Sequence, residues 1–216
     1  MNKIFINMLI SPIILLSFFP AQASQFGFSA GTGVYSGEYN YFYSAGAPQH
    51  LNLHFYQALS PVLTFGISAG YGYHNSVSKN KIQSMTSYYY ATEENTISGF
   101  PVEIELLMSK QLSESSHFKI FAGFGAGYYS YQGREKYSSG LYYEDNEVTI
   151  KGLAQYYTIG LEFNLNERNT AFLQFKKLGL SGITAKENSE DDSEETVKPM
   201  PGTYDLGIAV GIKYSF

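Results

Sequence analysis

The sequence predicts an all-β fold: an eight-stranded, up-and-down antiparallel transmembrane β-barrel with short turns at one end and four long loops at the other. Three observations predict it. Segments of about ten residues alternate bulky apolar residues with small or polar ones, the period-2 signature of a strand between two different environments. The connections between them alternate short and long. The chain also finishes on such a strand, GIAVGIKYSF, with Phe216 as its last residue.

The N-terminus is set aside first. Lys3 precedes a broken apolar run from Ile4 to Phe19, then Pro20 and the small-x-small triplet Ala21-Gln22-Ala23. This pattern predicts a secretory signal peptide over 1–23, cleaved after Ala23. Asn7, Ser11 and Pro12 interrupt the run, which falls short of the roughly 20 apolar residues of a spanning helix. One domain over 24–216 remains.

The strands follow in order. In 25–35, Phe26, Phe28, Ala30, Thr32 and Val34 share one face, and Gly27, Ser29, Gly31 and Gly33 the other. Residues 50–57 alternate through Leu51, Leu53 and Phe55. In 63–73, Leu63, Phe65, Ile67, Ala69, Tyr71 and Tyr73 oppose Thr64, Gly66, Ser68, Gly70 and Gly72. Phe100, Val102, Ile104, Leu106 and Met108 mark the fourth strand, and Phe118, Ile120, Ala122, Phe124, Ala126 and Tyr128 the fifth. Tyr157, Ile159, Leu161, Phe163 and Leu165 mark the sixth, and Ala171, Leu173 and Phe175 the seventh. The eighth carries Leu206, Ile208, Val210, Ile212, Tyr214 and Phe216. Short connections fall near 57–62, 109–116 and 166–170; long ones cover about 36–49, 74–99, 130–147 and 181–202.

The composition of the two faces names their surroundings. In a soluble sandwich the second face meets water and carries bulky charge. Here it is mostly glycine, serine and alanine, which suits the narrow interior of an eight-stranded barrel. The bulky face then meets lipid, in strands of the roughly 9 to 11 residues that cross it tilted, and closure pairs every backbone group. Running the strands up and down places Phe26, Phe55, Phe118, Phe163, Tyr214 and Phe216 at one end, and Tyr71, Tyr73, Phe100, Tyr128, Tyr157 and Tyr204 at the other. Two aromatic girdles are expected of such a barrel.

The last strand, with Ile212, Tyr214 and terminal Phe216 on its bulky face, resembles the C-terminal signal by which the outer-membrane assembly machinery receives its clients. The chain over 24–216 resembles, in architecture, the small eight-stranded outer-membrane barrels of the OmpX, Ail and OmpA-barrel type. A fainter similarity, in size and layout only, is to accessory colonisation factors of enteric pathogens. The resemblance implies a bacterial outer-membrane location, lipid and lipopolysaccharide as surroundings, and the barrel assembly machinery as a partner.

Several classes are disfavoured. The chain has no cysteine, so thiolate metal sites and disulfides are out. Net charge is −5, and arginine occurs only at 134 and 168, so no nucleic-acid partner is expected. No cofactor is predicted. His74-Asn75-Ser76 suggests a hydrolase at the rim, but a third orienting group is not visible in sequence. Strand parity puts Asn52, His54, Glu103, Glu105, Lys119, Glu162, Gln174, Lys176, Asp205 and Lys213 in the lumen. The nearly balanced charges of Glu103, Glu105, Lys119, Glu162, Lys176, Asp205 and Lys213 predict a neutralised plug, and they spoil any apolar acyl-chain lumen. Inward Tyr35, Tyr56, Phe121, Tyr129, Tyr156 and Phe172 fill what the glycines leave. A large pore is therefore excluded, while a leak of small ions is not.

The long connections hold much of the tyrosine: Tyr39, Tyr41, Phe42 and Tyr43; Tyr88, Tyr89 and Tyr90; Tyr137, Tyr142 and Tyr143. Tyrosine beside serine, glycine and charge is a recognition mixture; equally, these rings sit on strands continuing above the membrane. Residues 185–199 are acidic and serine-rich and read as a mobile, solvated tip. The expected function is a surface protein whose loops contact host cells, matrix or environment. A lipid-modifying enzyme and a purely structural barrel are the alternatives.

Overall fold

A computed structural model describes residues 24–34, 49–83, 88–113, 117–140, 142–189, 196–199 and 206–216. The signal-peptide segment therefore lies outside the described residues, as do Tyr35, Tyr39, Tyr41, Phe42, Tyr43, Tyr204 and Asp205. The described residues form ten strands: β1 Ser24–Val34, β2 Gln49–Ala58, β3 Leu63–Gln83, β4 Tyr88–Gln111, β5 Phe118–Ser139, β6 Tyr142–Asn164, β7 Asn169–Ser181, β8 Thr184–Ser189, β9 Thr196–Pro199 and β10 Leu206–Ser215.

Eight of them, β1 to β7 and β10, make an antiparallel ring in the order β5-β4-β3-β2-β1-β10-β7-β6, closed by β5–β6 pairing. First and last strands meet from Gln25↔Ser215 to Val34↔Leu206. The Phe216 amide donates to the Ser24 carbonyl at 3.2 Å, so pairing continues to the last residue. The short turns are fixed by side chains. The Leu63 amide donates to Ser60 Oγ at 3.1 Å, and the Arg168 and Asn169 amides donate to Asn166 Oδ1 at 2.9 and 2.8 Å. Such side-chain acceptors replace the backbone partners that a turn lacks.

The ring is tall on one side. Strands β3, β4, β5 and β6 run 21, 24, 22 and 23 residues, against 10 to 13 for β1, β2, β7 and β10. Thus 74–83, 88–99, 130–139 and 142–147, which the sequence places in long connections, are continuous paired sheet. The ladders run unbroken from Tyr73↔Ser98 to Gln83↔Tyr88 and from Tyr131↔Ile150 to Ser139↔Tyr142. Gly140 turns the tip of the second hairpin at φ 62, a conformation that hairpin turns demand and glycine takes without strain.

The outer face marks where lipid ends. Going up, Tyr73 gives way to Asn75, Phe100 to Ser98, Tyr128 to Ser130 and Leu153 to Lys151. Below this line most outward side chains are exposed and apolar, including Phe26, Leu53, Ile104, Phe124, Ile159 and Val210. Above it most are polar, Val77 and Tyr90 apart, with Arg134 paired to Glu147 at 3.5 Å in the open. An exposed pair of this kind adds little stability; its polarity keeps the raised sheet in water.

The acidic segment departs from expectation. Residues 185–189 and 196–199 lie in a β8–β9 hairpin, while 190–195 fall outside the described residues. The cause is an open edge. Pairing of β6 with β7 shifts register between Ala154 and Tyr156, and β7 ends opposite Ala154. Above that point the edge of β6 away from β5 would lack a neighbour, and Thr184–Ser189 supplies one from Lys151 to Asn146. Two interior clusters result: Tyr56, Leu107, Phe121 and Phe172 low in the barrel, and a higher one around Ile97, Tyr129, Val148, Ile150 and Tyr156.

Candidate functional site

Two regions are candidates: the lumen and the raised wall. In the lumen, Glu103 and Glu105 occupy alternate positions of β4 and point the same way, both nearly fully buried. Glu103 accepts from Lys176 Nζ at 2.5 Å, from the Tyr129 hydroxyl at 2.8 Å and from Ser68 Oγ at 3.1 Å. Glu105 accepts from Gln174 Nε2 at 3.3 Å, and Gln174 also donates to Thr158 Oγ1 at 3.0 Å. Lys213 pairs with Glu162. Each ammonium also lies over aromatic faces: Lys176 is 4.2 Å from the Tyr156 ring centre, and Lys213 is 4.0 Å from that of Tyr56 and 5.1 Å from that of Phe172. Rings so placed attract a cation through their quadrupole. Lys119 has its Cα opposite Glu162 and is only partly buried, at the lower end of β5.

Glycine makes room for this plug. Gly211 faces Phe172, Gly160 faces Phe121, Gly125 faces Tyr156 and Gly66 faces Tyr56, each directly across a strand pair. A Cβ at any of the four would strike the facing ring.

The structure also shows a contact that sequence reasoning missed. Ser29 Oγ lies 2.7 Å from His54 Nε2, and the Tyr56 hydroxyl lies 3.2 Å from His54 Nδ1. Ser29 reads in sequence as one more small inward residue; parity gives it and His54 the same inner face and no more. A hydrogen-bonded Ser–His pair can serve as nucleophile and base, but Ser29, His54 and Tyr56 are all sealed in the interior. The rim histidine, His74, points inward in the first row above the lipid line and is buried, and burial holds its imidazole below the usual pKa. Among the described residues no cluster of three His, Cys, Asp or Glu side chains could hold a metal ion.

On the wall, Tyr90, Tyr142 and Tyr143 are 66, 56 and 61% exposed at the hairpin tips. Tyr137 and Tyr142 meet edge to face at 6.1 Å, Tyr142 donates to Glu144, and Tyr143 donates to Asp145 at 3.2 Å. The backbones of Tyr88 and Tyr89 begin β4, opposite Gln83 and Ile82. At the opposite end Ile212, Tyr214 and Phe216 face outward. The Phe216 ring packs edge-on against Phe26 at 6.1 Å and Tyr214 at 5.4 Å.

A closed up-and-down ring, an apolar outer belt and a plugged polar lumen define a small bacterial outer-membrane β-barrel. No family model and no curated protein matches the chain. Solved structures do. The outer membrane protein OprG from Pseudomonas aeruginosa matches with a TM-score of 0.53 at 12% identity, over 90% of this chain and 94% of that one. A major outer membrane protein from Thermus thermophilus gives 0.49 at 13% identity, over 90% and 100%. Ail, the attachment invasion locus protein of Yersinia pestis, gives 0.41 at 14% identity, over 90% and 97%. With OprG the chain shares the fold of small outer-membrane barrels.

Proposed function

We propose that this barrel is a surface-interaction protein, presenting its raised wall to host cells, extracellular matrix or other environmental ligands in adhesion or colonisation. One observation carries the reading. Crossing lipid takes roughly 9 to 11 residues per strand, yet β3 to β6 continue about ten further, on the order of 30 Å of strand, and end in exposed Tyr90, Tyr142 and Tyr143. Tyrosine offers rigid amphipathic contact area at low entropic cost, and the paired sheet beneath holds it in place. The lumen supports a non-enzymatic, non-channel role: its Ser–His pair is out of reach of any substrate, and rings and ion pairs occupy its cross-section.

The test is binding to epithelial cells and matrix proteins by a non-adherent strain displaying the protein. A shortened form with 78–93 replaced by an Asn-Gly turn keeps the pair Val77↔Glu94 and hence the ladder below it. Binding that appears with the intact protein and falls with the trimmed wall supports the proposal. No gain in binding, with surface display confirmed, overturns it for those ligands and turns attention to the mass of lipid A.

A further inference from the structure

The raised wall sorts its charge between its two faces. On β3 to β6 above the lipid line, Lys79, Lys81, Arg134, Lys136 and Lys151 all occupy outward positions of the alternation, interleaved with carboxylates such as Glu147. The inward positions of the same strands carry Glu93, Glu135 and Glu144 and no lysine or arginine. By its own residues, the inner face of these strands is anionic.

Tyr137 stands at the centre of that face. Its direct cross-strand partners are Glu93 on β4 and Glu144 on β6, so one ring has a carboxylate residue on each side, about 4.8 Å away by strand spacing. Each carboxylate is held by a neighbour through one oxygen and keeps its second. Asn95 Nδ2 donates to Glu93 Oε1 at 3.0 Å, and the Tyr142 hydroxyl donates to Glu144 Oε1. The Tyr137 and Tyr142 rings meet at 66° with centres 6.1 Å apart and, with Ser139 and Gly140, line an open recess of about 450 Å³. Two residues from Glu93 on the same face, Asn95 is only 1% exposed, and its Oδ1 has no hydrogen-bond partner. A buried acceptor left without a donor is costly, and such an atom calls for a donor from elsewhere.

We propose that this inner face binds an arginine side chain presented by a protein ligand. The guanidinium lies against the Tyr137 ring, whose quadrupole attracts a cation. It donates to Glu93 and Glu144 on either side, and to the waiting Asn95 Oδ1. Its five N–H groups lie in one planar fork, which suits acceptors spread across neighbouring strands. A lysine ammonium is a compact point charge and spans them less well. A quaternary ammonium offers no N–H to Asn95. A metal ion is disfavoured because, among the described residues, no three acidic or histidine side chains converge to hold one. The inference rests on the surface-interaction reading above and gives it a chemistry, a guanidinium on the ligand.

The test is an amide NMR titration of the mature protein in a neutral maltoside detergent with N-acetylarginine amide, N-acetyllysine amide and the uncharged N-acetylcitrulline amide. We expect saturable shifts at the amides of Glu93, Asn95, Tyr137 and Glu144 with the arginine amide, about tenfold weaker binding of the lysine amide, and none of the citrulline amide. Glu144→Gln and Tyr137→Leu should each weaken the arginine amide by about tenfold, the order expected for one charge-assisted hydrogen bond or one cation–π contact. Heat-modifiable gel mobility verifies that each variant is folded. Glu147→Gln, on the outward face of the same strand, should change nothing. Equal binding of the arginine and lysine amides, or binding untouched by Tyr137→Leu, overturns the site. Calcium chloride moving the same amides at lower concentration assigns the carboxylates to a metal ion and also overturns it. If the titrations fail while the displayed protein still binds cells, only the arginine site falls. If cell and matrix binding fails while the titrations succeed, the surface-interaction reading falls instead.

Discussion

Lys176 Nζ lies 2.5 Å from Glu103 Oε2 deep in the lumen, with 9 and 4% of the two side chains exposed. Removing one member strands the other charge in the interior, which typically costs about 3 to 5 kcal/mol. Glu103→Gln and Lys176→Met should each lower stability by that order in urea unfolding from micelles. The double variant should regain much of the loss, because neither member of this pair is left as a lone charge. Additive losses would mean that the two groups act independently.

The glycine–ring pairs predict a second asymmetry. Gly160→Val drives a branched side chain into the Phe121 ring, and overpacking of this kind costs about 1 to 3 kcal/mol. Gly27→Ala meets only the Ile212 carbonyl at 3.3 Å, the His54 Cβ at 3.4 Å and the Lys213 Cγ at 3.5 Å. It should be far milder in the same unfolding measurement.

The filled lumen predicts electrical silence. Reconstituted in planar bilayers, the protein should give no resolved channel steps. Tyr56→Ala combined with Phe172→Ala removes two rings around Lys213 and should admit a measurable ion current. Steps in the wild type would show that the plug moves.

Hydrogen exchange should grade along β4. The amides of Ile104 and Leu106, in the lipid belt, should exchange orders of magnitude more slowly than those of Thr92 and Glu93 on the wall. Uniform protection would mean that the wall is as rigid as the barrel.

The C-terminal ring predicts a split between assembly and stability. Phe216→Ala loses two edge-on aromatic contacts, each worth about 0.5 to 1.5 kcal/mol, so refolding into micelles should survive. Yield in the outer membrane of cells should fall more steeply, if the ring is also read during assembly. Equal effects in both measurements would reduce Phe216 to a packing residue.

The barrel strands were legible because each has one bulky and one small face. The wall was legible only as one of two equal readings of the loop tyrosines, and the reason is visible in β3. Above Tyr73 its outward row is Asn75, Val77, Lys79 and Lys81, and the alternate positions are His74, Ser76, Ser78 and Asn80. With polar residues on both faces the alternation disappears, although the backbone ladder continues. β8 was hidden for the same reason; it forms because β6 offers an edge, a tertiary fact. In the lumen, parity put Glu162 and Lys213 inside. It could not show that they meet, since they lie on β6 and β10 with β7 between them.

The distribution of the lumen charges has a consequence for how the chain enters its membrane. Glu103 and Glu105 lie on β4, their partners Lys176 and Gln174 on β7; Glu162 lies on β6, its partner Lys213 on β10. A charged group alone at the bilayer centre costs at least about 2.5 kcal/mol. Strands threaded in one at a time would carry bare carboxylates into hydrocarbon and wait there for cations made later. Insertion and closure are therefore a single cooperative event, completed only when the final strand brings its lysine to Glu162 and zips against the first.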